Sequence, residues 1–257
     1  MSVAVNHVID GPSDGEVVVL SGSLGSDVRM WDPQVQPLTE AGFRVVRYDH
    51  RGHGGSPVPQ GPYDLADLGG DVLALLDRLG VDRVHWVGLS LGGMVGMWLA
   101  QNHPQRLGGL VLFCTSAELG PAQMWADRAR LVRAEGTQAV AVAGVQRWLT
   151  DGYRAAHPDR VAHLESMVAA TPAEGYASCC GAIERMDLVG GLASIAAPTL
   201  AIAGAQDPST GPDHLRRIAD AVPGARVEVL DPGAHLVSYE QPEKASQLVI
   251  DHLKGNR

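Results

Sequence analysis

The chain has 257 residues, of which 45% are hydrophobic and 19% are charged. This balance is typical of a folded globular protein and excludes a disordered chain, which would combine low hydrophobicity with high net charge. The formal net charge of −9 argues against a nucleic-acid or anionic-membrane partner, because both attract basic surfaces.

Short apolar runs alternate along the chain with longer segments of helical periodicity, such as residues 65–79. Strands that are apolar on both sides and separated by helices predict an α/β fold. Its central sheet is expected to be mostly parallel, with helices on both faces and right-handed crossovers. The predicted strands cover residues 17–20, 43–48, 84–87, 107–113, 199–203 and 226–230.

One stretch, residues 117–195, breaks this alternation because it contains no convincing strand. Helical spacing inside it predicts helices over residues 122–135, 138–149, 158–169 and 173–186. We interpret the stretch as a helical cap inserted into the core. The predicted division is therefore a core of residues 1–116 and 196–257 and a cap of residues 117–195.

The sharpest local motif is Gly-Leu-Ser-Leu-Gly-Gly at residues 88–93, which has the form G-x-S-x-G. A predicted strand precedes it and a predicted helix follows it, and this is the setting of a nucleophile elbow. Such a turn exposes the hydroxyl of Ser90 above a helix N-terminus, which favours developing negative charge. The alternative is a serine in an ordinary glycine turn.

A serine nucleophile needs a base, and the base needs an orienting acid. His235 follows the last predicted strand and Asp207 follows the one before it, so both lie at carboxyl ends of strands, like Ser90. Asp231 is a competing carboxylate four residues before His235, and we interpret it as a turn residue. The chain order Ser90, Asp207, His235 favours a catalytic triad.

Two backbone N–H groups are expected to stabilise the oxyanion of such a site. One belongs to Leu91, directly after the candidate nucleophile, and the other to Ser23, in the loop after the first predicted strand. His50 and His53 have a spacing that could suggest a metal site, but no third ligand is near in sequence. We therefore predict no metal.

The combination of motifs resembles the α/β-hydrolases and, more narrowly, the 3-oxoadipate enol-lactone hydrolases. The Ser-Leu-Gly loop and the Tyr-Ala-x-Cys-Cys segment are the motifs most specific to the enol-lactonases. The resemblance departs from the family pattern at Gly22, where Asn is expected, and at His50, where Thr is expected, and the first strand is missing or very short. The matching segments are residues 23–25, 51–54, 88–93, 176–180, 207–208 and 234–236.

This resemblance implies hydrolysis of 3-oxoadipate enol-lactone in aromatic catabolism, through an acyl-enzyme and without a cofactor. Three alternatives stay open, because a fold does not determine a function. The first is a general carboxylesterase or lactonase, and the second is a cofactor-free perhydrolase of the haloperoxidase type. The third is a ligand-binding module with slow turnover.

An enol-lactone substrate would carry a free carboxylate, so the cap should offer it a positive partner. On the predicted helix 122–135, Arg128 falls in the middle of an apolar arc close to Trp125. We predict that Arg128 binds the substrate carboxylate and that Trp125 covers the ring; the alternatives for Arg128 are a salt bridge or snorkelling. Arg147, on the next helix, is predicted to point the other way.

The cysteines and the N-terminal sequence indicate the cellular compartment, a reducing one. The three cysteines are odd in number, two of them are adjacent and none forms a Cys-x-x-Cys pair, which excludes a disulfide scaffold and a thiolate zinc site. Cys179 and Cys180 are expected to serve packing. The N-terminus does not resemble a signal peptide, and no run of 18 apolar residues occurs. We predict a cytoplasmic enzyme with a small lactone or ester substrate that is anionic; the oligomeric state is left open.

Overall fold

The structure is a computed structural model that describes residues 1–255. A seven-stranded sheet has the order β1-β3-β2-β4-β5-β6-β7, in which only β1 is antiparallel to its neighbour. The prediction of a mostly parallel α/β sheet is confirmed. The strands are β1 (His7–Asp10), β2 (Val17–Ser21), β3 (Arg44–Tyr48), β4 (Val84–Leu89), β5 (Leu107–Phe113), β6 (Thr199–Gly204) and β7 (Arg226–Leu230).

Burial explains why the inner strands could be predicted from the sequence. Every residue of β2, Val-Val-Val-Leu-Ser, is buried, and β6 is buried along its whole length. A strand that is covered on both faces must be apolar on both faces. All six predicted strands are present, with ends within two residues of those predicted. The edge strand β1 was not predicted, because it has four residues and none is buried.

Helices surround the sheet. The helix α2 starts at a capping box, in which the Asp64 side chain accepts from the Asp67 amide and the Asp67 side chain accepts in return from the Asp64 amide. Its apolar face is buried, and it packs against α3. The helices outside residues 117–195 are α1 (Asp32–Glu40), α2 (Leu65–Arg78), α3 (Leu91–Asn102), α9 (Pro212–Ala221), α10 (Val237–Glu240) and α11 (Pro242–Gly255).

Between β5 and β6 the described chain contains helices and no strand. The helix α4 packs mainly against α8, and α5 packs against α7. One of these helices, α6, was missed because it is only six residues long and begins at a Thr150 cap. The five are α4 (Ala122–Glu135), α5 (Gln138–Trp148), α6 (Asp151–Ala156), α7 (Pro158–Ala169) and α8 (Ala173–Arg185).

We propose that this helical segment, residues 117–195, is a cap on a core of residues 1–116 and 196–257. The amide of Leu188 donates to the carbonyl of Ala117 at 2.9 Å, which ties together the two ends of the segment. Positions 256 and 257 of the proposed core lie outside the described residues. Within residues 1–255, no helix is both long and apolar enough to cross a membrane.

Candidate active site

The turn between β4 and α3 presents Ser90. Its backbone has φ 55° and ψ −114°, a conformation that is strained for any residue with a side chain. The turn is tight because glycines flank it: a Cβ atom on Gly88 would lie 2.2 Å from the carbonyl oxygen of Gly92. This is the local geometry of a nucleophile elbow.

Asp207 and His235 meet at the ends of β6 and β7. The Nδ1 atom of His235 lies 2.8 Å from Oδ2 of Asp207, and both side chains are buried. Burial by itself would raise the pKa of Asp207. The charge of His235 and hydrogen bonds from His235, Ser209 and Thr210 outweigh burial and lower that pKa to about 2. Asp207 is therefore an ionised acceptor at neutral pH, whereas Asp231 is exposed.

The loop after β2 lies against the start of α3. The amide of Gly92 donates to the Gly22 carbonyl at 3.0 Å, which brings this loop next to Leu91. Leu91 is the first residue of α3, and amides in a first helical turn have no acceptor within the helix. The amide of Ser23 lies 3.3 Å from Sδ of Met30, a weak acceptor. The oxyanion roles of Ser23 and Leu91 stay predictions.

Two buried histidines hold both ends of this loop. His50 donates through Nε2 to the Gly22 carbonyl at 3.1 Å, and His53 accepts through Nε2 from the Gly25 amide at 3.0 Å. Burial is the main cause that lowers the pKa of His50 to about 3 and that of His53 to about 4, so both rings are neutral. The two departures from the family pattern, Gly22 and His50, are thus in contact with each other.

Ser90 and His235 line one cavity of about 350 Å³. Trp125 and Arg128 of α4 line it as well, and the Arg128 guanidinium lies 4.7 Å from the centre of the Trp125 ring. The structure therefore brings the predicted substrate-binding pair into the cavity that contains the candidate nucleophile and base.

Arg147 also lines this cavity, and the prediction that it points away is wrong. It lies next to Trp148 near the end of α5, and both side chains reach the cavity. Adjacent positions on a helix differ by about 100°, a difference that a long arginine side chain can span. Burial and then the charge of Arg128 lower the pKa of Arg147, so the two cations are close.

Neither cavity arginine is paired with a carboxylate within the described part of the chain. On the same helix as Arg128, Arg130 pairs with Asp127 and Arg133 pairs with Glu174. The salt-bridge alternative for Arg128 is therefore not what the structure contains. Both arginines are half-buried, and Arg128 contacts the Trp125 ring and the Tyr176 hydroxyl instead of a carboxylate. Two half-buried cations close together repel each other, so a ligand anion between them would be stabilised.

The comparisons with known proteins agree with this geometry. The model of the α/β hydrolase fold matches residues 16–242, and the chain belongs to the α/β-hydrolase family. Within that family it is similar to the 3-oxoadipate enol-lactonases, and this similarity confirms the resemblance predicted from the motifs. The 3-oxoadipate enol-lactonase 2 of Acinetobacter baylyi is 38% identical over 247 residues, covering 96% of this chain and 92% of the relative.

Two further relatives extend the comparison. The crystal structure of the enol-lactonase from Burkholderia xenovorans LB400 matches with a TM-score of 0.95 and 40% identity, covering 97% of this chain and 96% of the other. A protein of Variovorax paradoxus, provisionally named a carbamate hydrolase (RutD), is 33% identical and covers 97% of this chain and 96% of its own. The chain is therefore an enzyme of the carboxylic ester hydrolase class.

Proposed function

We propose that this enzyme hydrolyses the ester bond of a small lactone that carries a free carboxylate, and that its substrate is 3-oxoadipate enol-lactone. The observation that carries the proposal is the pair of arginines, Arg128 and Arg147, that have no carboxylate partner among the described residues and line the cavity that also holds Ser90 and His235. A planar guanidinium suits bidentate carboxylate binding. The names of the relatives support the choice of lactone.

The proposed reaction begins at Ser90. Its Oγ attacks the ring carbonyl while Nε2 of His235 takes the hydroxyl proton, and a tetrahedral oxyanion forms. Asp207 accepts from Nδ1 of His235, which fixes the tautomer and stabilises the imidazolium. The amides of Ser23 and Leu91 donate to the oxyanion, and the thioether of Met30, as a weak acceptor, gives up the Ser23 amide readily.

Collapse of this intermediate breaks the bond between the carbonyl carbon and the ring oxygen. The ring oxygen leaves as an enol after receiving the proton from His235, and the enol tautomerises to the ketone. Water, deprotonated by His235, then attacks the acyl-enzyme and releases Ser90 and a second carboxylate. The proposed mechanism uses only side chains and backbone of this chain together with water.

The substrate carboxylate is proposed to lie between Arg128 and Arg147, with the Trp125 ring against the lactone. The cavity is otherwise largely apolar, and such surroundings strengthen the attraction between an anion and two cations.

We further propose that the enzyme works in the reducing cytoplasm, since all three cysteines are free thiols.

The test is ultraviolet-monitored turnover of 3-oxoadipate enol-lactone against a panel of neutral p-nitrophenyl esters. The proposal expects a much higher kcat/KM for the lactone, and expects Ser90→Ala to abolish turnover of both substrate types. A general carboxylesterase would prefer the neutral esters. Halogenation that depends on acetate and peroxide would favour a perhydrolase, and tight ligand binding with negligible turnover would favour a binding module.

A chemical label tests the nucleophile separately. A serine-directed organophosphate should add mass to one peptide only, the one that contains Ser90. Mass on a different serine would contradict the assignment of the nucleophile while leaving the substrate class open.

A further inference from the structure

The hydroxyl of Thr210 lies at the point where three loops of the site meet. Its Oγ1 atom is 2.8 Å from Oδ2 of Asp207, 2.7 Å from the Cys114 carbonyl oxygen and 3.2 Å from Nδ1 of His235. The side chain is completely buried. Thr210 thus contacts the residue after β5 as well as the two candidate triad members after β6 and β7.

The backbone that faces Thr210 is itself unusual. Cys114 has φ 41°, in the left-handed region that residues with a side chain rarely adopt. In this conformation its amide donates to the Ile202 carbonyl, and its own carbonyl oxygen faces the Thr210 hydroxyl at 2.7 Å. Backbone strain of this kind persists only where surrounding contacts enforce it, and it is concentrated at functional sites.

The Thr210 hydroxyl has one proton, and two acceptors lie within hydrogen-bond distance of it: Oδ2 of Asp207 and the carbonyl oxygen of Cys114. An ionised carboxylate is a stronger acceptor than a neutral carbonyl, so the proton goes to Oδ2 of Asp207. The other carboxylate oxygen, Oδ1, accepts from the Ser209 amide at 2.8 Å. Three donors, from Thr210, Ser209 and His235, therefore hold the Asp207 carboxylate in one orientation.

We infer that Thr210 is a positioning residue, which holds the Asp207 carboxylate in line with Nδ1 of His235 through its hydroxyl. The inference rests on the proposed function, because it assigns Thr210 a part in the reaction at Ser90. Without this hydroxyl the carboxylate can rotate about its last side-chain bond. The imidazole would then spend less time in the tautomer and orientation that can accept the Ser90 proton.

The experiment compares Thr210→Val, which removes the hydroxyl but keeps the shape, with Thr210→Ser, which keeps the hydroxyl. Thr199→Val is a matched control, because Thr199 is buried at the opposite end of β6 and its hydroxyl donates to the Ala197 carbonyl, away from the candidate triad. With p-nitrophenyl acetate, we expect Thr210→Val to lower kcat about tenfold to hundredfold with little change in KM. Thr210→Ser should recover most of that loss, and Thr199→Val should stay near the wild-type rate.

A pH profile separates positioning from a merely structural role. A carboxylate with one donor fewer attracts the imidazolium proton more strongly, so the acid limb of kcat/KM should move to higher pH in Thr210→Val alone. Titratable or charged groups near Asp207 and His235 include Cys114 and His214, the cavity arginines Arg128 and Arg147, and Glu240, which accepts from the Ala234 amide; every variant retains them. Equal losses in the Val and Ser variants, or an unmoved acid limb with a lower melting temperature, would overturn the inference.

Failure of the proposed function would look different. If the wild type hydrolyses no ester, the proposed function is wrong, but the proton NMR signal of His235 Nδ1–H can still be recorded in each folded variant. The inference expects this low-field signal to shift or exchange faster in Thr210→Val and to be retained in Thr210→Ser and Thr199→Val. The same signal in all variants would count against Thr210 whatever the substrate.

Discussion

At the scale of single residues, the contact between His235 and one carboxylate governs the proposed chemistry. Asp207→Asn would replace an acceptor by an amide that can donate to Nδ1, which favours the wrong imidazole tautomer. If the triad assignment is right, kcat should fall by about four orders of magnitude, the loss known for this change in a Ser-His-Asp protease, while the fold is retained. Ester hydrolysis and circular dichroism of the purified variant measure the two quantities.

Asp231→Asn is the matched control for this prediction. Asp231 is the other aspartate near His235 in sequence, and it is exposed, so we expect nearly the wild-type rate. The opposite pattern, with a large loss in Asp231→Asn and a small one in Asp207→Asn, would mean that the acid of the proposed triad is wrongly assigned.

The two cavity arginines lead to a prediction about substrate charge. Arg128→Met and Arg147→Met keep an unbranched apolar stem but remove the cation. Hydrogen bonds to charged groups contribute about 1.5–3 kcal/mol, so we expect KM for the anionic lactone to rise about tenfold to hundredfold in each variant. Turnover of neutral p-nitrophenyl acetate should hardly change, because that ester has no carboxylate to bind.

Arg130→Met controls for the loss of a positive charge on the same helix, since Arg130 is exposed and pairs with Asp127. Its KM for the lactone should stay close to that of the wild type. If Arg128→Met instead impairs hydrolysis of the lactone and of p-nitrophenyl acetate equally, Arg128 has a structural role. Another residue would then bind the substrate carboxylate.

At the scale of secondary-structure elements, parallel strands explain how much of the site could be predicted. Their carboxyl ends share one edge of the sheet, so Ser90, Asp207 and His235 were expected to lie close together from local motifs and strand order alone. The positions of Arg147 and Thr210 depend on how a helix and a loop pack in three dimensions. No periodicity in the sequence reports that packing, so the direction of Arg147 was predicted wrongly and Thr210 was missed.

The packing of α2 on α3 gives an element-scale prediction from two adjacent glycines. A Cβ atom on Gly70 would meet no atom within 4 Å, whereas one on Gly69 would lie 2.3 Å from the Trp98 ring. Gly70→Ala should stabilise the fold by about 0.5–1 kcal/mol, because glycine is a poor helix former. Gly69→Ala should destabilise it by about 1–3 kcal/mol through overpacking.

Urea unfolding of both variants measures this difference, and each serves as the other's control for helix propensity. The stabilised variant should keep the wild-type turnover, since Gly70 faces no part of the site. Equal free energies of unfolding for the two variants would show that α2 and α3 are not packed as closely as the structure has them.

At the scale of the whole molecule, buried neutral histidines should make the fold sensitive to acid. The folded-state pKa values of His50 and His53, about 3 and about 4, lie below the ordinary value of 6.5, with burial as the main cause. Below pH 6.5 the unfolded chain therefore binds protons that the folded chain does not. The contribution of these two histidines to the free energy of unfolding should be fully present above about pH 6.5. It should be lost as the pH decreases from there towards 4.

The variant His50→Gln isolates one of these histidines. Glutamine can still donate to the Gly22 carbonyl, but it does not titrate. Wild-type protein should be the more stable of the two near pH 7, because its ring fills the buried site. This advantage should shrink by about 1.4 kcal/mol for each pH unit below 6.5, since only the wild type loses the contribution of His50. Urea unfolding of both proteins at about pH 7 and about pH 5 measures the change. A constant difference between them would mean that His50 takes up its proton over the same pH range in the folded protein as in the unfolded chain, so that burial does not hold its ring neutral.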